Sequence, residues 1–283
     1  MPPILYESHL HTPLCKHAQG EPEEYAAVAE QRGLAGIIVT CHNPTENDGL
    51  TPHVRMGVAQ FDAYVGMVER ARRAWAGRVD VRLGLESDFL PGQESWLARL
   101  HDRAEFHHVL GSVHPQMAIY RQRYLNGDVL AFQRQYFTHL AEAAETGLFD
   151  TLSHPDLVKI VHPKQYQVTP LLDHIRVCLD RIAATGTAME LNTSGLLKSY
   201  PEMNPGPAIL AEMRARRIPV VLGADAHDPS RVGANYGEAL DLLEAAGYTH
   251  VSFFLARKRQ DLAISSVRES LRMPVEADRV SQF

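Results

Sequence analysis

Short apolar runs alternate with helix-like stretches along nearly the whole chain, and this alternation constrains the fold more than any other feature. The helix-like stretches carry apolar residues at three- and four-residue spacing. Such alternation predicts βα units around a parallel sheet. We predict strands at 4–8, 36–40, 79–85, 109–113, 149–152, 188–191, 220–222 and 251–255. We predict helices beginning at Pro22 and over 58–76, 129–146, 170–185, 208–217 and 234–246.

Seven or eight βα units in 283 residues favour a closed barrel over an open doubly wound sheet. No linker or glycine-rich dinucleotide fingerprint interrupts the pattern. Residues 43–56, with two prolines and a glycine, are expected to form a long surface loop. The chain is therefore expected to be one domain, with a polar tail beginning after about residue 257.

The net charge and the cysteine content limit which binding partners and which cellular location we expect for the chain. The net charge of −6 gives no general attraction to nucleic acid or to an anionic membrane, so an anionic substrate would need local cations. The three scattered cysteines and the absence of a signal-like start predict a cytoplasmic protein. No apolar run approaches the roughly 18 residues that a membrane span needs.

Metal-ligand residue types stand at the ends of seven consecutive predicted strands. In a βα barrel these ends lie on one face, where active sites are built. Two-residue spacing, as in His9 and His11, places both rings on the same side of a strand. The residues, in strand order, are His9 and His11, His42, Glu86 and Asp88, His114, His154 and Asp156, Glu190 and Asn192, and Asp225 and His227. His17 follows in the first loop. We therefore predict a metal site at the barrel mouth.

Taken one at a time, these residues have ordinary explanations. A single strand-end acid such as Asp225 is often a helix N-cap, and a single histidine after a strand is often a loop residue. Their joint placement favours a shared site. The other eight histidines are expected to be solvated or structural: His53, His101, His107, His108, His139, His162, His174 and His250. Cys15 and Cys41, beside the proposed ligands, are expected to pack in the interior.

The motifs resemble those of the polymerase-and-histidinol-phosphatase (PHP) superfamily, and most closely those of its histidinol-phosphate phosphatases. The resemblance covers residues 8–233. Two departures are Cys41, where the family usually has an acidic residue, and Leu197, where a second basic residue is common. The matching stretches are SHLHTPLCKHAQGEPEEY, TCHNP, GLESDFLPG, GSVH, FDTLSHPDLVK, ELNTSGLLK and GADAHDPSRVG.

The resemblance implies a fold and a cofactor. The fold would be an α/β, distorted TIM-like (β/α)7 barrel in a single domain spanning 1–283, with a core of about 3–257, a tail of about 258–283 and the run 251–255 outside the barrel itself. Three divalent or transition metal ions (Zn, Fe or Mn) are expected. The first would use His9, His11, Glu86 and Asp225; the second Glu86, His114 and His154; the third His17, His42 and His227.

The resemblance also implies an activity. The expected enzyme is a metal-dependent phosphomonoesterase that hydrolyses L-histidinol phosphate, a small-molecule monoester, through attack by a metal-bridged hydroxide. Glu86, Asp225, His227 and Asp156 would be catalytic, and Lys159, Asn192, Lys198 and Arg231 would bind substrate or phosphate. One alternative is a nucleotide or nucleic-acid phosphodiesterase with the same metal site, although the sequence has no basic stripe with interleaved aromatics. A second is a non-catalytic, metal-stabilised binding scaffold.

Overall fold

A nine-stranded sheet forms the centre of the computed structural model, which describes residues 2–48 and 53–272. Neighbouring strands follow chain order, and each pair from the first to the eighth is parallel. All eight predicted strands are confirmed. The strands are β1 (Tyr6–Glu7), β2 (Gly36–Val39), β3 (Asp80–Asp88), β4 (His108–Ser112), β5 (Thr151–Leu152), β6 (Ala188–Asn192), β7 (Val220–Gly223), β8 (His250–Leu255) and β9 (Lys258–Ala263).

Helices cover the outside of the sheet and bury the apolar residues that predicted them. Because both faces of a parallel strand are covered, strands such as β2, with the sequence GIIV, are wholly buried. Short helices α3 and α4 were not predicted. The helices are α1 (Pro22–Gln31), α2 (Phe61–Ala74), α3 (Glu94–His101), α4 (Ala118–Tyr124), α5 (Val129–Glu145), α6 (Leu172–Thr185), α7 (Pro207–Ala215), α8 (Tyr236–Ala245) and α9 (Ile264–Ser270). The α/β class with a single sheet agrees with the prediction.

The chain beyond β1 is hydrogen-bonded to the chain beyond β7. Leu10 and Ala226 form a parallel bridge. The Ala226 carbonyl accepts from the amide of His11 at 2.9 Å, and the Ala226 amide donates to the carbonyl of His9 at 3.0 Å. The first and seventh strands therefore meet at their carboxyl ends, as the TIM-like arrangement requires.

The hairpin of β8 and β9 lies across the opposite, amino end of the strands. Phe253 stacks on Tyr6 of β1 at 4.9 Å, and Phe254 stacks on His108 of β4 at 5.0 Å. At the hairpin turn, the Arg257 amide donates to the His107 carbonyl at 2.9 Å. The hairpin therefore contacts the amino ends of both β1 and β4.

The predicted tail after residue 257 is wrong in its first part. Residues 258–263 form β9 and pair antiparallel with all six residues of β8. Their polar sequence concealed the strand because β9 is largely exposed and lies at the sheet edge. Residues 264–270 of the predicted tail form helix α9, and residues 273–283 lie outside the described part.

The segment predicted as a long surface loop is buried at both ends. Asn43 is 1% exposed and Arg55 is 4% exposed, while residues 49–52 lie outside the described part. Both buried ends contact Asp88 of β3, so the loop is anchored against the sheet. Over residues 2–48 and 53–272, no helix is long and apolar enough to cross a membrane.

Candidate metal centre

The structure brings all nine predicted ligands together at the carboxyl ends of the strands. Seven of them are at most 9% exposed. His227 is half-buried and His17 is exposed, so these two lie at the rim. The nine residues are His9, His11, His17, His42, Glu86, His114, His154, Asp225 and His227.

Glu86, on β3, lies at the centre of this group. Its side chain is fully buried and both carboxylate oxygens face imidazole nitrogens. Ser112 also donates to Oε1 at 2.7 Å. The other oxygen, Oε2, lies 2.5 Å from Nδ1 of His42 and 3.6 Å from Nε2 of both His9 and His11. Oε1 lies 3.1 Å from Nε2 of His154 and 3.4 Å from Nε2 of His114. A carboxylate in this position can bridge two cations.

Asp225 completes the first predicted ligand group. Its Oδ1 lies 3.1 Å from Nε2 of His11 and 3.6 Å from Nε2 of His9. The ligand atoms of these three residues all lie within 4.8 Å of one another. The group faces Oε2 of Glu86, while His114 and His154 face Oε1, as the first and second predicted sites require.

The third predicted group lies at the rim. Nε2 of His17 and Nε2 of His227 are 2.9 Å apart. His11, His42 and His227 also place one ligand atom each within a 4.8 Å span. These rings converge in the way that ligands of one cation do.

Buried atoms without a well-aligned hydrogen bond show that the residues fit metal ions. Nε2 of His9 is buried and makes no hydrogen bond to any described residue, and the contact between Nδ1 of His42 and Oε2 of Glu86 is not a well-aligned hydrogen bond. Buried polar groups are nearly always hydrogen-bonded, because each unsatisfied one costs about 1–3 kcal/mol. Nitrogen and carboxylate oxygen donors of this kind suit zinc, iron or manganese.

The two carboxylates are ionised at neutral pH. Burial alone would raise the pKa of Glu86, but the nearby His42, His9 and His114 outweigh it and hold that pKa well below its ordinary value. Burial likewise opposes the ionised form of Asp225, and the charges of Lys198 and His9 hold its pKa well below the usual range. Both side chains are therefore ready to bind cations.

Two ligands have an unusual backbone conformation. His154 has φ +30° and Asp225 has φ +49°, where side-chain-bearing residues are uncommon. Such conformations cost of order 1–3 kcal/mol and cluster at functional sites. Each is the second residue after a strand, where the chain must turn while the side chain still faces the mouth.

Glu190 of β6 supports two of the ligands, although the prediction did not include it as a site residue. Its Oε1 lies 2.7 Å from Nδ1 of His9, and its Oε2 accepts from the backbone amide of His154 at 2.8 Å. Gly223 leaves the space for it, since a Cβ there would collide with Glu190 Oε1 and lie 2.9 Å from the Cβ of His9. Its place at a strand end was the signal that could have identified Glu190.

Lys198 and Asn192 lie beside Asp225. The Lys198 ammonium donates to Asp225 Oδ2 at 3.2 Å and to Ser194 Oγ at 2.9 Å. Asn192 Oδ1 accepts from the Ser194 hydroxyl at 2.7 Å, and that hydroxyl also contacts Asp225 Oδ2 at 2.8 Å. Lys198 is thus a cation at the mouth, whereas Asn192 acts on the site through Ser194.

Lys159 and Asp156 form a buried ion pair after β5. The wholly buried Lys159 ammonium contacts Asp156 Oδ2 at 3.0 Å, Glu202 Oε2 at 3.1 Å and the Met203 carbonyl at 2.8 Å. Asp156 also accepts from the Gly206 amide at 2.9 Å. These contacts hold two loops together. Phosphate binding by Lys159 and proton donation by Asp156 stay predictions.

Arg231 follows β7 in a short 3-10 turn, Pro229–Arg231. One of its guanidinium nitrogens, Nη2, donates to Asn235 Oδ1 at 3.1 Å. This position is beyond Asp225 and His227 along the same loop. Phosphate binding by Arg231 stays a prediction.

Comparison with known proteins identifies the family of this chain. The model of the PHP domain family matches residues 7–194. A "probable histidinol-phosphatase" of Deinococcus radiodurans is 37% identical over 260 residues, covering 88% of this chain and 96% of the relative. The histidinol-phosphatase of Bacillus subtilis is 24% identical over 274 residues, covering 83% of this chain and 98% of the relative.

A solved structure has the same fold. The histidinol phosphate phosphatase of Lactococcus lactis, crystallised with zinc, L-histidinol and phosphate, matches with a TM-score of 0.75 at 18% identity. The match covers 90% of this chain and 98% of that one. Because the family model spans most of the chain and the Deinococcus relative aligns over nearly its full length, this chain belongs to the PHP domain family.

Proposed function

We propose that this chain is a metal-dependent phosphomonoesterase that hydrolyses L-histidinol phosphate to L-histidinol and phosphate. The observation that carries the proposal is the buried carboxylate of Glu86, whose two oxygens lie within 3.6 Å of ring nitrogens of five imidazoles. Relatives named for this activity support the substrate. The unpaired thiols of all three cysteines suit the cytoplasmic location expected of such an enzyme.

The proposed cofactor is a set of three divalent cations, zinc, iron or manganese. His9, His11, Glu86 and Asp225 would hold the first; Glu86, His114 and His154 the second; His17, His42 and His227 the third. Bound cations of this kind lower the pKa of water and neutralise phosphoryl oxygens. Glu86 is the residue shared between the first two groups.

The protein's own residues would bind and orient the ester. Lys198 has a side chain that is 25% exposed, and its ammonium is held beside Asp225, where it can also face a phosphoryl oxygen. Charge-assisted hydrogen bonds from fixed donors are effective where negative charge develops during phosphoryl transfer. Ser194, bound to Asn192, limits the movement of Lys198. Arg231 is proposed as a second cation for the phosphate.

His227 is proposed to act as a neutral ligand. Burial and the nearby charge of His11 lower its pKa to about 4, so the ring is uncharged at pH 7. A neutral imidazole keeps a lone pair for a cation. Its half-buried position at the rim leaves this part of the site open to substrate.

The test is an activity screen of the purified chain loaded with zinc or manganese. Histidinol phosphate, a panel of other phosphate monoesters and a single-stranded DNA oligonucleotide are offered in parallel. We expect fastest turnover of histidinol phosphate and loss of activity with EDTA. His114→Ala should be inactive, whereas His250→Ala, at an exposed position outside the site, should retain activity.

The alternatives give different results in the same screen. Preferential cleavage of the oligonucleotide would replace the proposal with a phosphodiesterase. A metal-loaded protein inactive on every ester would indicate a binding scaffold. Rapid hydrolysis of another monoester, with histidinol phosphate untouched, would refute the proposed substrate and leave the reaction class standing.

A further inference from the structure

Arg55 and Asp88 form an ion pair at the edge of the metal centre. Arg55 is 4% exposed and Asp88 is 7% exposed. The pairing is two-pronged: Nε of Arg55 donates to Oδ2 at 2.6 Å, and Nη2 donates to Oδ1 at 2.9 Å. Bidentate geometry fixes the plane of a carboxylate as well as its position. We call this pair the Arg55–Asp88 clamp.

The clamp contacts one metal ligand directly. Nδ1 of His114 lies 2.7 Å from Asp88 Oδ1, the oxygen that Arg55 Nη2 also contacts. Nδ1 of His114 also lies 3.3 Å from Arg55 Nη2, but its 2.7 Å contact with the carboxylate is much the shorter, and an ionised carboxylate only accepts hydrogen bonds, so we place the His114 proton on Nδ1. The lone pair is therefore on Nε2, which faces Glu86 Oε1 at 3.4 Å.

The clamp is itself anchored to the neighbouring loop. The Asp88 amide donates to Asn43 Oδ1 at 2.8 Å, and Arg55 Nη1 donates to the carbonyl of Val54 at 2.6 Å. Arg55 therefore reaches the site from the segment that follows β2, about thirty residues before Asp88 in the chain. Nothing in the local sequence around His114 supplies this restraint.

We propose that Arg55 is a positioning residue for the metal centre, which acts through Asp88 to fix the tautomer and ring orientation of His114. Removal of such outer contacts typically lowers metal affinity about 10–100-fold. The inference rests on the metal centre of the proposed function and is independent of the substrate. Arg55 needs no contact with the ester or with an ion to act in this way.

The experiment is a zinc titration of the metal-free full chain by calorimetry, with Arg55→Lys and Asp88→Asn. Lysine keeps the charge but cannot form the bidentate contact, so we expect about a tenfold loss of affinity for the second ion. Asparagine keeps the shape but loses the carboxylate charge, and we expect a loss of about 10–100-fold. Arg55→Ala is less useful because breaking a buried ion pair can prevent folding.

A double-mutant cycle separates positioning from general stabilisation. In a His114→Ala background the clamp has no ring to orient, so Arg55→Lys should cause no further loss of zinc affinity. The matched control is Arg257→Lys, because Arg257 also pairs with an aspartate, Asp150, but at the amino end of the strands. It should leave zinc affinity unchanged.

Two outcomes would overturn the inference. One is wild-type zinc affinity and stoichiometry in both Arg55→Lys and Asp88→Asn. The other is an equal effect of Arg55→Lys with and without His114. If the wild-type chain binds zinc but hydrolyses no ester, the proposed function fails while the titration still tests the clamp.

Discussion

Replacement of Glu86 by glutamine tests the metal centre most directly. The change keeps the side-chain shape and an acceptor for Ser112, which donates to Oε1 at 2.7 Å. It removes the one negative charge that faces five imidazoles. In the metal-loaded protein it also removes the proposed bridging ligand, so the loss should fall on the first and second ions together.

The magnitude follows from simple electrostatics. At an effective dielectric constant of about 20, two unit charges about 4 Å apart interact by about 4 kcal/mol. The Glu86 oxygens lie within 3.6 Å of the ring nitrogens that would share each ion. Loss of about 4 kcal/mol corresponds to a roughly thousandfold weaker affinity.

This weakening has a measurable thermal consequence. An ion present at about 100 times its dissociation constant stabilises the native state by about 2.7 kcal/mol, and the thousandfold weaker site gains almost nothing at the same concentration. For a chain of this size, about 2.7 kcal/mol is about 5–10 °C in Tm. EDTA should therefore lower the Tm of the wild-type protein by at least this amount, and should lower that of Glu86→Gln only by the contribution of the third ion.

The assay is differential scanning calorimetry with and without EDTA, combined with metal analysis by plasma mass spectrometry. Glu7→Gln is the matched control, because Glu7 is equally buried but accepts from the backbone amides of His9, Ala224 and Gly233. It should lose stability yet keep its metal and its EDTA response. The bridging role of Glu86 is refuted if Glu86→Gln retains the full metal content and the full EDTA shift.

Three further predictions use other parts of the fold. Burial and the charge of Arg123 lower the pKa of His139 to about 4, so the unfolded chain binds a proton there before the native one does, and stability falls between pH 6.5 and 4. The free energy of unfolding, measured with urea at pH 7 and at pH 5, should fall by about 2 kcal/mol less in His139→Gln than in the wild-type protein. An equal fall in both proteins would contradict this prediction. Lys198→Met should lower kcat/KM for the phosphate ester about 10–100-fold, the value of one charged hydrogen bond, in steady-state assays; an unchanged kcat/KM would exclude Lys198 from phosphate binding. Gly223→Ala should destabilise the protein by about 1–3 kcal/mol in chemical denaturation and reduce its zinc content, whereas Gly66→Ala, where a Cβ meets nothing within 4 Å, should do neither; wild-type behaviour of Gly223→Ala would refute the packing argument.

The convergence of the nine proposed metal ligands could be predicted because their positions follow from chain order. A parallel sheet places the carboxyl ends of all its strands on one face, so residues far apart in the chain, such as His9 and His227, must meet there. The apolar runs and their ligand-type ends are both visible in the sequence. Convergence of the site then follows from topology alone.

The substrate-side residues could not be predicted in the same way. Lys159 follows a ligand-bearing strand end much as Lys198 does, yet the structure uses it as the buried partner of Asp156 and Glu202. Whether a lysine faces the mouth or the interior depends on the acids that other loops bring near it. The sequence around a lysine does not indicate which acidic residues will lie near it in the fold.

Arg55 is a residue of the site that the sequence did not reveal. It lies in a segment of loop-like composition, and its partner Asp88 is 33 residues away. Only the packing of that segment against β3 makes Arg55 part of the centre. Similarly, the polar sequence of β9 gave no strand signal, because its pairing with β8 is a tertiary contact along a sheet edge.

The sequence by itself determined the α/β class, the order of the first seven parallel strands and the set of ligand types at their ends, since periodicity and chain order are local properties. The tertiary structure decided which nitrogen faces which carboxylate oxygen, which cations are neutralised inside the protein, and how Arg55 and Glu190 orient the ligands. The physical reason is that hydrogen bonding and desolvation act over a few ångströms, here between residues that are distant in the chain. Only the folded packing sets those distances.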